Sequence, residues 1–308
     1  MDNKFPGINA ELVQRLFARG EAFDSEGFIS FFTDAPVYQF ANFDVCLDKT
    51  SIKKSADEFF SKISAVYHEI KMIWEVNNFV FVEMDVLYWR KDNSMVTLPC
   101  TDVFRIEGEK ISELRIFMDV NPVFDPSISV TEKTSVFTEN EGKKLIPPST
   151  MKRFYTEHPE GRERVSTGFA PKWSINRPKW PISATSSGDL LSKAEKMVEV
   201  LTAEDWEAFY PYFTEDLFYK VGANDPLHGP KGAAGFLSDF YKIIKPTKHD
   251  IRGTWQIGNT VIIEMDANYK RVSDGKKITV PCTDIYRFQG DLIKEWRVYP
   301  DMSPVEVA

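Results

Sequence analysis

At 308 residues, with 43% apolar and 14% aromatic side chains, the chain exceeds one small core and has material for two. Its formal net charge of -8 is spread along the chain, which argues against a phosphate-backbone partner, so no nucleic acid is expected. Three cysteines without metal spacing (Cys46, Cys100, Cys282), no basic-then-apolar leader in MDNKFPGINA and no long apolar run point to a cytoplasmic protein without disulfides, metal or membrane segment.

Leu12, Leu16, Phe17 and Phe23 recur at helical spacing and predict an opening helix. Period-2 alternation then predicts strands at about 68–74, 79–90, 95–107 and 110–118. Residues 125–187 are rich in Pro, Ser, Thr and Lys, and a connector of that length is unusual. Its Phe154, Tyr155, Trp173 and Trp180 suggest a strap packed on a domain, covering a pocket. Helical spacing restarts at Leu191, Ala194, Met197, Val198 and Leu201. Thr202 with Asp205 resembles a capping box for a second short helix ending near Phe213, and alternating strands follow as before.

The second half repeats the first. TLPCTDVFRI (Thr97 to Ile106) aligns with TVPCTDIYRF (Thr279 to Phe288) at a spacing of 182 residues. Upstream the spacing is 181, pairing Tyr38 with Tyr219, His68 with His249, Trp74 with Trp255 and Glu83-Met84-Asp85 with Glu264-Met265-Asp266. The single-residue change falls at a hairpin turn, where length changes are absorbed. Three segments follow: a first copy at 1–124, a linker or strap at 125–187 and a second copy at 188–308.

The motif strand places Leu98, Cys100, Asp102, Phe104 and Ile106 on one face, and Val280, Cys282, Asp284, Tyr286 and Phe288 in the second copy. One carboxyl in an apolar row must be hydrogen-bonded, paired or protonated, so Asp102 and Asp284 are candidates for raised pKa values and acid catalysis. A structural Asp bonded to neighbouring backbone or Arg is the alternative. Glu83 and Asp85, like Glu264 and Asp266, alternate with apolar residues, a pattern that puts the acids in solvent. His68 shares a face with Ile70, Met72 and Trp74 by simple alternation, as does His249 with Ile251 and Trp255. Both read as core or edge histidines whose titration range would also suit proton transfer.

LPCTDVFRIEGEKISELRIFMD resembles the last two strands of the nuclear transport factor 2-like superfamily, which includes SnoaL-like polyketide cyclases, ketosteroid isomerases, scytalone dehydratases and limonene epoxide hydrolases. The likeness covers both copies and omits the linker. It implies an α+β fold of two tandem cone-shaped domains, each a curled antiparallel sheet around N-terminal helices with an apolar pocket at the open end. By the resemblance, Asp102 and Asp284 fall where ketosteroid isomerases keep a protonated Asp. That family's general base falls at Phe40 and Val221, and its Tyr at Leu16 and Met197, so steroid-type isomerisation is disfavoured. The epoxide-hydrolase set is also incomplete, because its water-activating Asp falls at Ile116 and Val298. Both alignments turn Glu83, Asp85, Glu264 and Asp266 into the pocket, against the alternation pattern, and the resemblance is preferred. Tyr38 and Tyr219 are placed inward too, although ordinary strand packing accounts for a strand Tyr as well.

The resemblance therefore implies a small apolar ligand and no cofactor. Asp102, Tyr38, Glu83, Asp85 and His68 are the candidate acid-base groups of the first copy. Asp284, Tyr219, Glu264, Asp266 and His249 are those of the second. The expected substrate contacts are Phe40, Trp74, Phe81, Cys100, Phe104 and Ile116, then Trp255, Cys282, Tyr286, Trp296 and Val298. A lyase, isomerase or cyclase is the first reading, with a carrier or sensor and an interaction scaffold as alternatives. The copies are expected to pair as an internal pseudo-dimer or through a homodimer. Both keep the same candidate set, and nothing in the sequence marks either as degenerate.

Overall fold

The computed structural model describes residues 8–92, 94–125 and 189–306. Beyond Asp125, the proposed strap lies outside the described residues. The chain divides into two units, one for each copy.

In the first unit the helical spacing produces α1 (Ile8–Glu21), which buries Val13, Leu16 and Phe17. The chain then turns into α2 (Ser25–Ile29), whose first turn is capped by Asp24 accepting the Gly27 N–H at 2.8 Å. Next come β1 (Phe32–Phe40) and α3 (Lys49–Phe60), the latter capped by Asp48 on the Ser51 N–H at 2.7 Å. Four strands follow: β2 (Ile63–Val76), β3 (Phe79–Arg90), β4 (Met95–Glu107) and β5 (Lys110–Phe117). A short α4 (Asn121–Phe124) closes the unit. The sheet order is β1-β5-β4-β3-β2, antiparallel throughout except that β1 runs parallel to β5. The three longer helices send Leu16, Phe17, Phe28, Phe59 and Phe60 towards the same sheet face, so this face becomes the interior of the cone.

The second unit repeats the plan. It contains α5 (Asp189–Thr202), α6 (Trp206–Phe209), β6 (Phe213–Val221), β7 (Leu227–His228) and α7 (Gly229–Phe240). The remaining elements are β8 (Ile244–Ile257), β9 (Thr260–Arg271), β10 (Lys277–Gln289), β11 (Leu292–Pro300) and α8 (Ser303–Glu306). Its sheet order is β7-β6-β11-β10-β9-β8. The architecture is α+β in two tandem copies.

Three local expectations are corrected. Asp205 alone caps α6, accepting the Ala208 N–H at 3.1 Å, while Thr202 ends α5 and turns its hydroxyl to His249. The strands after the helices start earlier than alternation shows, at Ile63 and Ile244. Finally, β2 does not keep one phase. A bulge between Ile70 and Met72 flips the alternation, so His68 shares a face with Ile70 whereas Met72 and Trp74 point to the opposite face. The same bulge recurs between Ile251 and Gly253 and separates His249 from Trp255.

No described helix is long and apolar enough to cross a membrane. All three cysteines are free thiols and buried.

Candidate functional site

The concave face of the first unit surrounds a cavity of about 640 Å³, counting its open mouth. The strands contribute Tyr38 and Phe40, Val66 and His68, Met84, Val86 and Tyr88, Cys100 and Asp102, and Leu114 and Ile116. These side chains converge because of the register: Cys100 lies opposite Met84, and Asp102 opposite both Val82 and Ile116, and directly opposed residues share a face. Phe104, on the same face, meets Phe17 edge-on at 5.8 Å.

Asp102 is 2% exposed, and among the described residues its one side-chain hydrogen bond is from the Cys100 thiol to Oδ1, at 3.3 Å. A carboxylate there has lost its water and received one weak donor, so burial pushes its pKa up from 3.8 to about 8. At neutral pH it is therefore mainly a neutral acid that can donate a hydrogen bond into the cavity. Tyr38 beside it is raised above its ordinary value by burial, then by Cys46 and Asp102, and stays a phenol.

His68 borders the same cavity. Its ring stacks on Phe17 at 4.5 Å and 17°, and its Nδ1 lies 3.2 Å from Oε1 of Glu21. The same oxygen accepts the His68 backbone N–H at 2.9 Å. Glu21 is the last residue of α1, fully buried, and it anchors the imidazole through Nδ1. The sequence reading missed Glu21. Its only signal is an acid at the end of an amphipathic helix, unusual against the helix dipole. Tyr88 was missed as well; its hydroxyl donates to the Met118 sulfur at 3.5 Å.

The second unit carries the same candidate residues in a different arrangement. Asp284 Oδ2 accepts the Tyr286 hydroxyl at 2.6 Å and the Trp296 indole N–H at 2.9 Å. Both donors favour the anion, and burial still prevails, so its pKa rises from 3.8 to about 7. Tyr219, Cys282, Tyr286 and Trp296 belong to one buried core cluster, and Val298 packs against it. His249 faces the Thr202 hydroxyl, 2.6 Å from Nδ1, where the first copy has Glu21; burial lowers its pKa from 6.5 to about 4 and keeps it neutral.

The remaining acid candidates lie elsewhere. Glu83 is opposite Thr101 and Asp85 opposite Pro99, so both are on the face turned away from the cavity, although both are buried. Asp85 pairs with Lys71, the bulge residue, at 2.6 Å. Glu264 and Asp266 occupy the corresponding face, with Asp266 accepting Arg252 Nε at 2.8 Å. The expectation that these four carboxyls look into a pocket is thus corrected by the register, and so is the solvent reading, because all four are buried. Phe81 and Trp74, directly paired, share the Glu83 face, and Trp255 shares that of Glu264. None of these three contacts the concave side. Among the described residues no cluster of three or more His, Cys, Asp or Glu side chains could hold a metal.

The SnoaL-like domain family matches residues 13–114 and again 194–296. Among solved structures, a putative SnoaL-like polyketide cyclase from Shewanella putrefaciens is 15% identical, covering 39% of this chain and 96% of its own, with a TM-score of 0.36. A protein with a ketosteroid isomerase-like fold from Catenulispora acidiphila, in complex with trimethylamine, is 17% identical over 39% of this chain and 91% of its own, with a TM-score of 0.35. An NTF2-like protein of unknown function from Cytophaga hutchinsonii is 24% identical over 36% and 98%, with a TM-score of 0.30. No curated protein matches the chain.

Proposed function

Because the chain belongs to the SnoaL-like domain family in two copies, we propose that its first copy binds a small apolar carbonyl compound and moves a proton next to the carbonyl. The observation that carries this reading is one cavity bordered both by a buried carboxylic acid with a single weak partner, Asp102, and by an imidazole anchored through Nδ1, His68. In the proposed step His68 Nε2 takes the proton from the carbon next to the carbonyl. The C–H electron pair becomes the enolate double bond, and the negative charge arriving on oxygen is met by the Asp102 hydroxyl. Glu21 stabilises the imidazolium that forms. Tyr38 offers a second donor to the same oxygen. Return of the proton from His68 to another carbon gives an isomerase; attack of the enolate on a second carbonyl, with that proton passing to the new alkoxide, gives a cyclase; departure of a β-hydroxyl as water carrying that proton gives a lyase.

The test uses 1-indanone in deuterated water, with exchange of its α-protons followed by NMR. The wild type is expected to accelerate the exchange, with Asp102→Asn losing about 10²–10³-fold and His68→Gln about 10²–10⁴-fold. Glu21→Gln is expected to change the pH profile more than the affinity, as suits a positioning residue. If 1-indanone binds but is not exchanged faster than in buffer, the site is a carrier and the proton-transfer reading fails.

A further inference from the structure

The spacings of 181 and 182 residues let each wall of the first cavity be compared with its counterpart. Gly20 becomes Leu201, Ala56 becomes Leu237 and Leu114 becomes Trp296. Phe17, Phe40, Val86 and Ile116 shrink to Val198, Val221, Ala267 and Val298, so bulk is lost at four positions while Trp296 gains it directly at the acid. The Leu114 to Trp296 exchange is tied by register to the same place, since Leu114 is opposite Phe104 and Trp296 opposite Tyr286, each two residues beyond its Asp. Leu114 lines the first cavity. Trp296 is 1% exposed, 4.5 Å from Tyr219, 5.7 Å from Tyr286 and 6.0 Å from Phe213 by ring centroids.

Polar groups follow the same logic. Phe104 becomes Tyr286, and the two donors that Asp102 lacks are both supplied to Asp284 from within the chain, by an indole N–H and a phenol. Glu21 becomes Thr202, so His249 has no carboxylate on Nδ1. Both donors fall on Oδ2 of Asp284, while Oδ1 is buried without a partner among the described residues. The oxygen that already holds an indole and a phenol has less to gain from a ligand, and those two rings are packed where a ligand donor would have to approach it.

We infer that the second copy is occupied by its own Trp296 and Tyr286, so that the chain takes one ligand, in the first copy, and the Leu114/Trp296 position determines which copy binds. The inference rests on the ligand reading above for its probe, and on the packing of Trp296 for its substance.

The experiment is isothermal titration of the full chain with 1-indanone. The wild type is expected to bind one molecule. Leu114→Trp should weaken binding at least a hundredfold, Trp296→Leu with Tyr286→Phe should raise the count to two, and all three changes together should return it to one. Circular dichroism reports whether each variant keeps its fold. Two sites in the wild type, full binding by a folded Leu114→Trp variant, or one site in the folded opened variant would each overturn the inference. A second measurement needs neither ligand nor folded variants: hydrogen exchange of the Trp296 indole N–H in the wild type, followed by ¹⁵N NMR. Slow exchange supports the plug, and exchange at the rate of free indole overturns it. If 1-indanone binds no variant, the ligand reading falls, and the indole exchange alone decides the plug.

Discussion

At the scale of the residue, Asp102 and Asp284 show how two identical side chains on the same strand position acquire different chemistry from their neighbours. Asp102 has a thiol, and Asp284 has a phenol and an indole; the better-served acid rises less, to about 7 against about 8. Raised carboxyl pKa values have a consequence for stability. Between about pH 4 and pH 8 the unfolded chain releases the Asp102 proton while the folded chain retains it, so stability falls as pH rises, by up to the order of 1 kcal/mol per pH unit, and levels off above pH 8. Asp284 adds the same trend up to about pH 7. Urea denaturation of Asp102→Asn across this range should therefore show a shallower decline than the wild type. An equal slope would mean that Asp102 is ionised in the folded protein at neutral pH. The proposed exchange activity should fall through the same pKa, because an ionised Asp102 cannot donate to the enolate oxygen.

At the scale of the element, short helices hold the cavity walls and depend on single caps. The five-residue α2 carries Phe28 into the cavity, and its start is held by Asp24, which bonds the Gly27 N–H and pairs with Arg19 at 3.0 Å. Asp24→Ala removes the cap, and a loss of about 1 kcal/mol in thermal or denaturant unfolding is expected, together with weaker 1-indanone binding as Phe28 loosens. Unchanged affinity would show that α2 does not shape the site. The bulge in β2 matters equally. One extra residue moves Trp74 from the His68 face to the opposite face, and the bulged cations Lys71 and Arg252 meet the carboxyls of Asp85 and Asp266 that lie on that face. Asp85 and Asp266 are thus explained as partners of the bulge.

At the scale of the whole molecule, the two copies share one fold and differ in what surrounds their acids. In the first, Asp102 lines a cavity; in the second, Asp284 bonds Tyr286 and Trp296, which belong to a buried cluster with Tyr219 and Phe213. Hydrogen-exchange mass spectrometry with and without 1-indanone is expected to show added protection in α1, β2, β4 and β5 and none in α5, β8, β10 or β11. Ligand at a hundredfold excess over Kd should stabilise the first copy by about 3 kcal/mol. Protection shared by both sets of elements would contradict a single site.

The repeat, the two-copy α+β plan and the motif strand with its inward Asp were legible in the sequence, because identity at constant spacing and period-2 alternation are local properties of the chain; the inward Tyr38 was implied only by the family resemblance. The face of Glu83 and Asp85 was not, since it depends on which residues of β4 stand opposite them, and that is a property of the register. Neither was the separation of Trp74 from His68, because a bulge leaves no mark in an alternating pattern. Glu21 and His68 are 47 residues apart and meet only when α1 crosses the sheet. The two copies looked equivalent because their acids, tyrosines and histidines are conserved between them. Only the tertiary packing shows that Trp296 and Tyr286 both donate to Oδ2 of one Asp while the other Asp lines a cavity, since whether a side chain lines a space or fills it is decided by volume in three dimensions.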